Sequence, residues 1–210
     1  DAKGKLIKDK WSTIGDKKYA FDSDGKMRTG WFFDNDDIYY LGDNGYAKTG
    51  WLCLDYDEDN KPDDGTISEI RTSASDTAKW FYFQTNGKAK RSKNDSYSAE
   101  TIGDNKYYFN EDGSAYSGFL QANGALYYVK NGGQVMTGRF KIGEKQYYAA
   151  KGGKLYRGFK VRKGYKYYFD PETGAALSGL QKIGANYYYF DVAGRMQTGW
   201  VKDDGNWYYM

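Results

Sequence analysis

The stretch TGWFFDNDDIYYLGDNGYAKTGW, Thr29 to Trp51, closes on the three letters with which it opens. That self-similarity constrains the fold more than any other feature. Thr/Ser/Arg-Gly dipeptides end at Gly30, Gly50, Gly118, Gly138, Gly158, Gly179 and Gly199, most of them twenty residues apart. An anchor (Trp11, Trp31, Phe119, Arg139, Phe159, Leu180 or Trp200) stands seven residues before the slot that precedes a tyrosine pair. The pair reads Tyr19-Ala20, Tyr39-Tyr40, Phe81-Tyr82, Tyr107-Tyr108, Tyr127-Tyr128, Tyr147-Tyr148, Tyr167-Tyr168, Tyr188-Tyr189 and Tyr208-Tyr209. Fixed periods of this length mark repeat architectures, in which one supersecondary unit recurs.

Each unit has two short β-favouring runs around a turn. In KIGEKQYYAAKGGKLYRG, Gly143-Glu144 supplies one turn and Gly152-Gly153 the next, which is hairpin chemistry. A lone hairpin of twenty residues cannot bury its own face, but stacked copies can. The expected fold is therefore all-β, a β-solenoid of stacked ~20-residue β-hairpin repeats. Residues 1–210 read as a single repeat domain of about nine hairpins. Leu, Ile, Val and Phe together number 33, about 16% of the chain, so the core must be built from its 23 tyrosines and other aromatics.

Period-two alternation separates the faces. The first tyrosine of each pair and the residue two later, as in Tyr39/Leu41 or Phe81/Phe83, are always aromatic or apolar and form the core face. The opposite face carries the second tyrosine and the slot before the pair, which varies from Lys to Trp. It is expected to be partly wet and to touch any ligand. Two insertions interrupt the period, near 55–79 and 93–100; Trp51 lies 29 residues before Trp80. In the first, Asp55, Asp57 and Asp59 alternate as in a calcium loop, but Asn60 and Thr66 stand where Gly and Glu are needed, so no metal is expected there.

There is no His, which removes Ser-His-Asp and Cys-His catalysis and any His-dependent zinc site. The single Cys53 cannot form an intramolecular disulfide and reads as a small core residue. No apolar run reaches the ~18 residues of a membrane span, and no signal peptide is visible. The Asn94-Asp95-Ser96 sequon reads as coincidental. The net charge is only +3 but uneven. Asp34 to Asp64 holds ten acids and two bases, whereas Arg139 to Lys166 holds ten bases against Glu144. Lys160, Arg162 and Lys163 in that basic stripe are candidates for an anionic polymer. No groove-reading motif accompanies it, so nucleic acid is not expected as a partner.

TGWVKDDGNWYYM and GFKVRKGYKYYFDPETGAALSG resemble the bacterial cell-wall-binding repeat superfamily, which covers choline-binding repeats, glucan-binding repeats of glucansucrases and the repetitive oligopeptides of clostridial toxins. The resemblance implies a secreted, wall-associated protein of a Gram-positive bacterium. It implies a non-catalytic module that recognises glycan, teichoic acid or choline through aromatic grooves, without a cofactor. A structural spacer or adhesin stalk is the alternative. The family's choline cage uses the Trp after Gly, the Trp before the tyrosine pair and an aromatic of the next hairpin. Only Trp51 with Trp80, and Trp200 with Trp207, keep both Trp; Tyr82 and Tyr108 are expected to complete the first site, beneath the insertion. Trp31, Tyr40 and Tyr187 are further candidates on the wet face. The chain is read as stopping after the first strand of its last hairpin, an open edge that invites end-to-end self-association.

Overall fold

The computed structural model describes residues 4–93 and 96–210; Asn94 and Asp95 of the sequon lie outside the described residues. The described chain is all-β, without helix, and consists of nine antiparallel hairpins. Hairpin 1 pairs Lys10–Ile14 with Lys17–Phe21, hairpin 2 Trp31–Asp34 with Asp37–Tyr40, and hairpin 3 Gly50–Asp55 with Ala78–Phe83. Hairpin 4 pairs Glu100–Ile102 with Asn105–Tyr107, and hairpin 5 Gly118–Ala122 with Ala125–Val129. Hairpins 6 to 9 pair Gly138–Ile142 with Lys145–Ala149, Gly158–Arg162 with Tyr165–Phe169, Gly179–Ile183 with Asn186–Phe190, and Trp200–Asp203 with Asn206–Tyr209.

The turns explain why these runs fold back. Asn123-Gly124 takes φ of 49° and 70°, the double positive φ of a type I′ turn, whose twist matches that of the strands it joins. The register sets the anchor across from the second residue of the pair, as in Trp31↔Tyr40, Trp51↔Tyr82 and Phe159↔Tyr168. Anchor, slot residue and second tyrosine therefore share one face, and the first tyrosine projects from the other.

What joins one hairpin to another is the short tail that follows it. Ala47 donates its N–H to the Lys18 carbonyl and Lys48 to that of Tyr40, both at 2.8 Å. Ala89 and Lys90 repeat this on Ile38 and Tyr82, and Ala115 and Tyr116 on Trp80 and Tyr108. Later in the chain, Leu155 bonds Leu126 and Tyr156 bonds Tyr148; Ala176 bonds Gln146 and Leu177 bonds Tyr168. Each tail thus clips its own hairpin to the preceding one through the carbonyl of the slot residue. Because the clip itself uses the slot backbone, it does not require one slot side chain. The tails also need small residues. At Gly87 a Cβ would stand 2.9 Å from the Ala47 methyl, and at Gly133 the same distance from that of Ala115.

The chain divides into two compact units. Unit one comprises residues 1–118 and 129–134, unit two residues 119–128 and 135–210. The core of unit one gathers Trp31, Ile38, Tyr40, Leu54, Tyr56, Phe81, Phe83 and Ala89, with Ala20, Tyr39 and Leu41 as a second cluster. In unit two, Leu126, Tyr147, Ala149, Leu155 and Ala175 form one cluster, and Tyr148, Tyr167 and Phe169 another. Each such aromatic side chain contributes roughly 1.5–3 kcal/mol of burial. The face expected to be wet is largely dry inside both units: Ile38, Tyr40, Tyr108, Leu126, Gln146 and Tyr148 are buried. Alternation along one strand reports its own two faces but not what the next repeat lays upon them.

The long insertion adds a third strand, Ile70–Arg71, to hairpin 3, and then covers hairpin 2. The Trp31 N–H donates to the Thr66 carbonyl at 2.9 Å, and Gly65 returns a bond to the Trp31 carbonyl at 2.7 Å. Any side chain at Gly30 would overlap the Thr66 carbonyl. Asp55, one of the alternating acids, is held by Arg71 through two bonds of 2.7 and 2.9 Å, and Asp57 caps the backbone of Asp59 and Asn60. Buried Cys53 belongs to the core of this region, and burial raises its thiol pKa. The last hairpin is complete, in contrast to the sequence expectation: Trp200 pairs with Tyr209, and Gly199 and Met210 exchange two backbone bonds. The tyrosine pair of the last hairpin, Tyr208-Tyr209, lies on its second strand, not on its first.

Candidate functional site

One junction recurs along the chain. The anchor of a hairpin packs against the first aromatic of the next pair: Trp11 on Tyr39 at 4.6 Å between ring centroids, Trp31 on Phe81 at 5.0 Å, and Trp51 on Tyr107 at 4.8 Å. Unit two repeats it with Phe119 on Tyr147 at 5.5 Å and Phe159 on Tyr188 at 5.2 Å. Beside each such contact stands the slot residue before the anchor's own tyrosine pair. What fills that slot helps decide whether a groove is open.

At hairpin 3 the slot is Trp80. Its indole meets Trp51 edge-on, with centroids 6.3 Å apart and planes at 81°. Trp51, Trp80 and Tyr107 line a cleft of about 410 Å³ with Lys130, Asn131, Gly132 and Gln134 from the tail after hairpin 5. Gln134 Nε2 is fixed on Asn105 at 2.7 Å, and Gly132, with φ of 95°, lies alongside the Trp80 edge. A second cleft of about 430 Å³ also reaches Trp80 and Asn131, and it is polar: Glu58, Asp76, Lys79 and Asn110 line it. Lys79 there is ion-paired with Glu58 at 3.1 Å. One indole is thus bordered by an aromatic cleft and by a hydrogen-bonding one.

The structure therefore brings Trp51 and Trp80 together, and corrects three neighbours expected to join them. Tyr82 packs on Trp51 at 5.1 Å and stands outside the cleft lining. Tyr108 is 2% exposed and cannot close the cage; Tyr107 does, because a hairpin turns its first tyrosine toward its predecessor's anchor. The insertion lines the polar cleft but lids hairpin 2 instead. Trp31 is fully buried and donates its Nε1–H to Ser68 Oγ at 2.8 Å; Tyr40 donates to the Ser68 carbonyl at 2.5 Å and accepts from the Ser68 N–H at 3.1 Å. Neither is open to a ligand. A cleft of about 440 Å³ in the insertion, lined by Asp55, Asp57, Asp63 and Glu69, offers no exposed aromatic wall, so the candidate site is placed at Trp80.

At hairpins 1 and 7 the slot is a cation set over the anchor ring. Lys18 sets its ammonium 4.1 Å over Trp11 and 5.4 Å from Tyr39, tied to the Asn86 carbonyl at 3.2 Å. Burial, and then Lys88, lower its pKa. Lys166 lies 4.5 Å over Phe159 in the same manner. In unit two, Trp200, Trp207 and Tyr187 are 69%, 62% and 60% exposed; Trp200 packs on Tyr209 at 5.3 Å, and neither Trp is enclosed. The three basic candidates diverge. Arg162 lies 5.1 Å over Tyr148, Lys163 occupies a turn at φ 49°, and Lys160 borders a separate cleft.

Comparison with known proteins follows the same lines. The model of the choline-binding repeat matches residues 7–52 and 177–210, and that of a cell wall binding repeat matches residues 100–115. Residues 7–52, 100–115 and 177–210 thus match cell-wall-binding repeats. It is 30% identical over 211 residues to glucosyltransferase-S of Streptococcus mutans, a match that spans 87% of this chain but 13% of that enzyme's length. Among solved structures, the choline-binding domain of CbpL from Streptococcus pneumoniae aligns with a TM-score of 0.56 at 21% identity, over 95% of this chain and 91% of that one. CbpJ from the same species aligns at 0.48 and 21%, over 95% and 84%. The likeness to the CbpL domain concerns the fold alone.

Proposed function

We propose that this chain is a non-catalytic cell-surface binding module that holds a neutral glycan against Trp80. The observation that carries the reading is the pairing of clefts around that indole. A sugar ring has an apolar face that stacks on an aromatic and a rim of hydroxyls that needs donors and acceptors; the Trp51–Trp80–Tyr107 wall supplies the first, and Asn131, Gln134, Asp76 and Asn110 supply the second. Lys130 on the rim disfavours a quaternary ammonium, which prefers an aromatic cage without a competing cation. The similarity to a glucosyltransferase supports the sugar over choline. The wall association expected of such repeats agrees with a surface role, and no helix among the described residues is long and apolar enough to cross a membrane.

The test is a titration of isomalto-oligosaccharides and of choline, read by tryptophan fluorescence, on the natural chain and on Trp80→Ala. The oligosaccharide should bind and lose roughly 1–3 kcal/mol in the variant, the usual worth of one stacking platform. Choline binding that equals or exceeds that of the sugar, and that depends on Trp80, would reassign the groove to a quaternary ammonium.

A further inference from the structure

Charge is partitioned between the two units. Unit one carries 18 Lys and Arg against 22 Asp and Glu, a net of −4, and unit two 13 against 6, a net of +7. Among the described residues, every Lys or Arg in a salt bridge belongs to unit one: Arg28, Arg71, Lys79, Lys88 and Lys90. Unit two seats several of its cations on aromatic rings instead: Arg139 and Arg162 on Tyr148, Lys166 on Phe159, and Arg195 on Tyr165. Lys154, Arg157 and Lys160 are in neither class.

Those three line one cleft of about 500 Å³, between the tail of hairpin 6 and the first strand of hairpin 7, and no carboxylate lines it. Leu155, Tyr156 and Val161 form its apolar walls, with Val161 73% exposed. The Arg157 guanidinium is held by one bond, Nη2 donating to Gln121 Oε1 at 3.1 Å, while its buried Nε–H has no partner. Arg195 also has an unpartnered Nε, but its guanidinium is covered by Tyr165 at 4.4 Å. A buried donor without an acceptor costs stability, and a guanidinium's fork fits the oxygens of a phosphate or carboxylate. Lys154 and Lys160, both exposed, add point charges at the rim.

We infer that this cleft is a second binding site, for an oxyanion (phosphodiester or carboxylate) borne on a polyol or sugar backbone that rests on Leu155, Tyr156 and Val161. It replaces the linear set Lys160, Arg162, Lys163 with Lys154, Arg157 and Lys160, and it is independent of the groove at Trp80.

The full chain is titrated at low salt with poly(glycerol phosphate), with oligogalacturonate and with neutral dextran. Lys154→Gln/Lys160→Gln, whose side chains are exposed, and Arg157→Gln are compared with Lys141→Gln/Lys182→Gln, which removes the same two charges away from the cleft. At least one anionic polymer should bind, more weakly as salt rises. Its affinity should fall about tenfold or more in the cleft variants and stay within about twofold in the control. Which polymer binds tells phosphodiester from carboxylate. Equal losses in cleft and control variants would mean diffuse charge attraction and overturn the site, as would the absence of binding to both anionic polymers. Trp80→Ala should leave anion binding unchanged, so failure here is separable from failure of the glycan reading.

Discussion

Three consecutive junctions of unit one share an architecture and meet different fates. At hairpin 1 the groove between Trp11 and Tyr39 is occupied by the chain's own Lys18. At hairpin 2 the equivalent Trp31 is sealed beneath Ser68 of the insertion and belongs to the core. At hairpin 3 Trp51 faces Trp80 and Tyr107 across an open cleft. At these three junctions one side chain or one loop decides whether the space beside the anchor is an open cleft, an internal cation–π contact or a piece of core. A repeat protein of this kind can retain its fold while the slot residue changes, because the clip between hairpins runs through the slot carbonyl and not through the slot side chain.

The comparison breaks most visibly at the sealed junction. Trp31→Ala should destabilise unit one by about 3–5 kcal/mol, as large aromatic truncations in a dry core do, and calorimetry should show a lower melting temperature. If instead the variant melts like the natural chain, Trp31 is no more structural than Trp51. Ser68→Ala isolates the seal: it removes the indole's acceptor but keeps the backbone bonds, and a loss of about 1 kcal/mol is expected from denaturant curves.

Emptying the self-filled groove sharpens the same point. Lys18→Ala should free the space over Trp11 and Tyr39 for a small cation. Tetramethylammonium should then quench or shift Trp11 fluorescence with a gain of about 0.5–1 kcal/mol over the natural chain, the range for exposed cation–π contacts. An unchanged response would show that Lys18 is incidental to the groove.

The smallest effect concerns the acid response of the insertion. The hydrogen-bonded Arg71 guanidinium holds the Asp55 carboxyl below its usual pKa. A depressed folded pKa contributes stability that is complete above the ordinary Asp value of about 3.9 and is lost as pH falls through the folded value. Arg71→Gln should therefore narrow the stability difference between pH 5 and pH 3 slightly, since the pair is solvent-screened. Parallel curves for the two proteins over that range would contradict the coupling.

The period and the turn residues around each tyrosine pair were enough to expect all-β hairpin repeats, because a hairpin rests on contacts within about twenty residues; the alternation named one buried face but missed the second, which the next repeat covers. The two Trp of hairpin 3 were legible as a pair from their slots in the repeat, although the insertion sets them 29 residues apart: Trp51 stands across the strand from Tyr82, one pleat from Trp80. Tertiary structure alone decided that Tyr107 and not Tyr108 closes the groove, that the insertion buries Trp31 and Tyr40 rather than roofing Trp80, and that Arg157, not Arg162, joins Lys160. Each of these depends on which face one hairpin turns to the next and where a loop of some twenty residues comes to rest. Neither is encoded in any local spacing: both follow from the packing of whole repeats, where the burial of an indole outweighs the preferences of the segment that covers it.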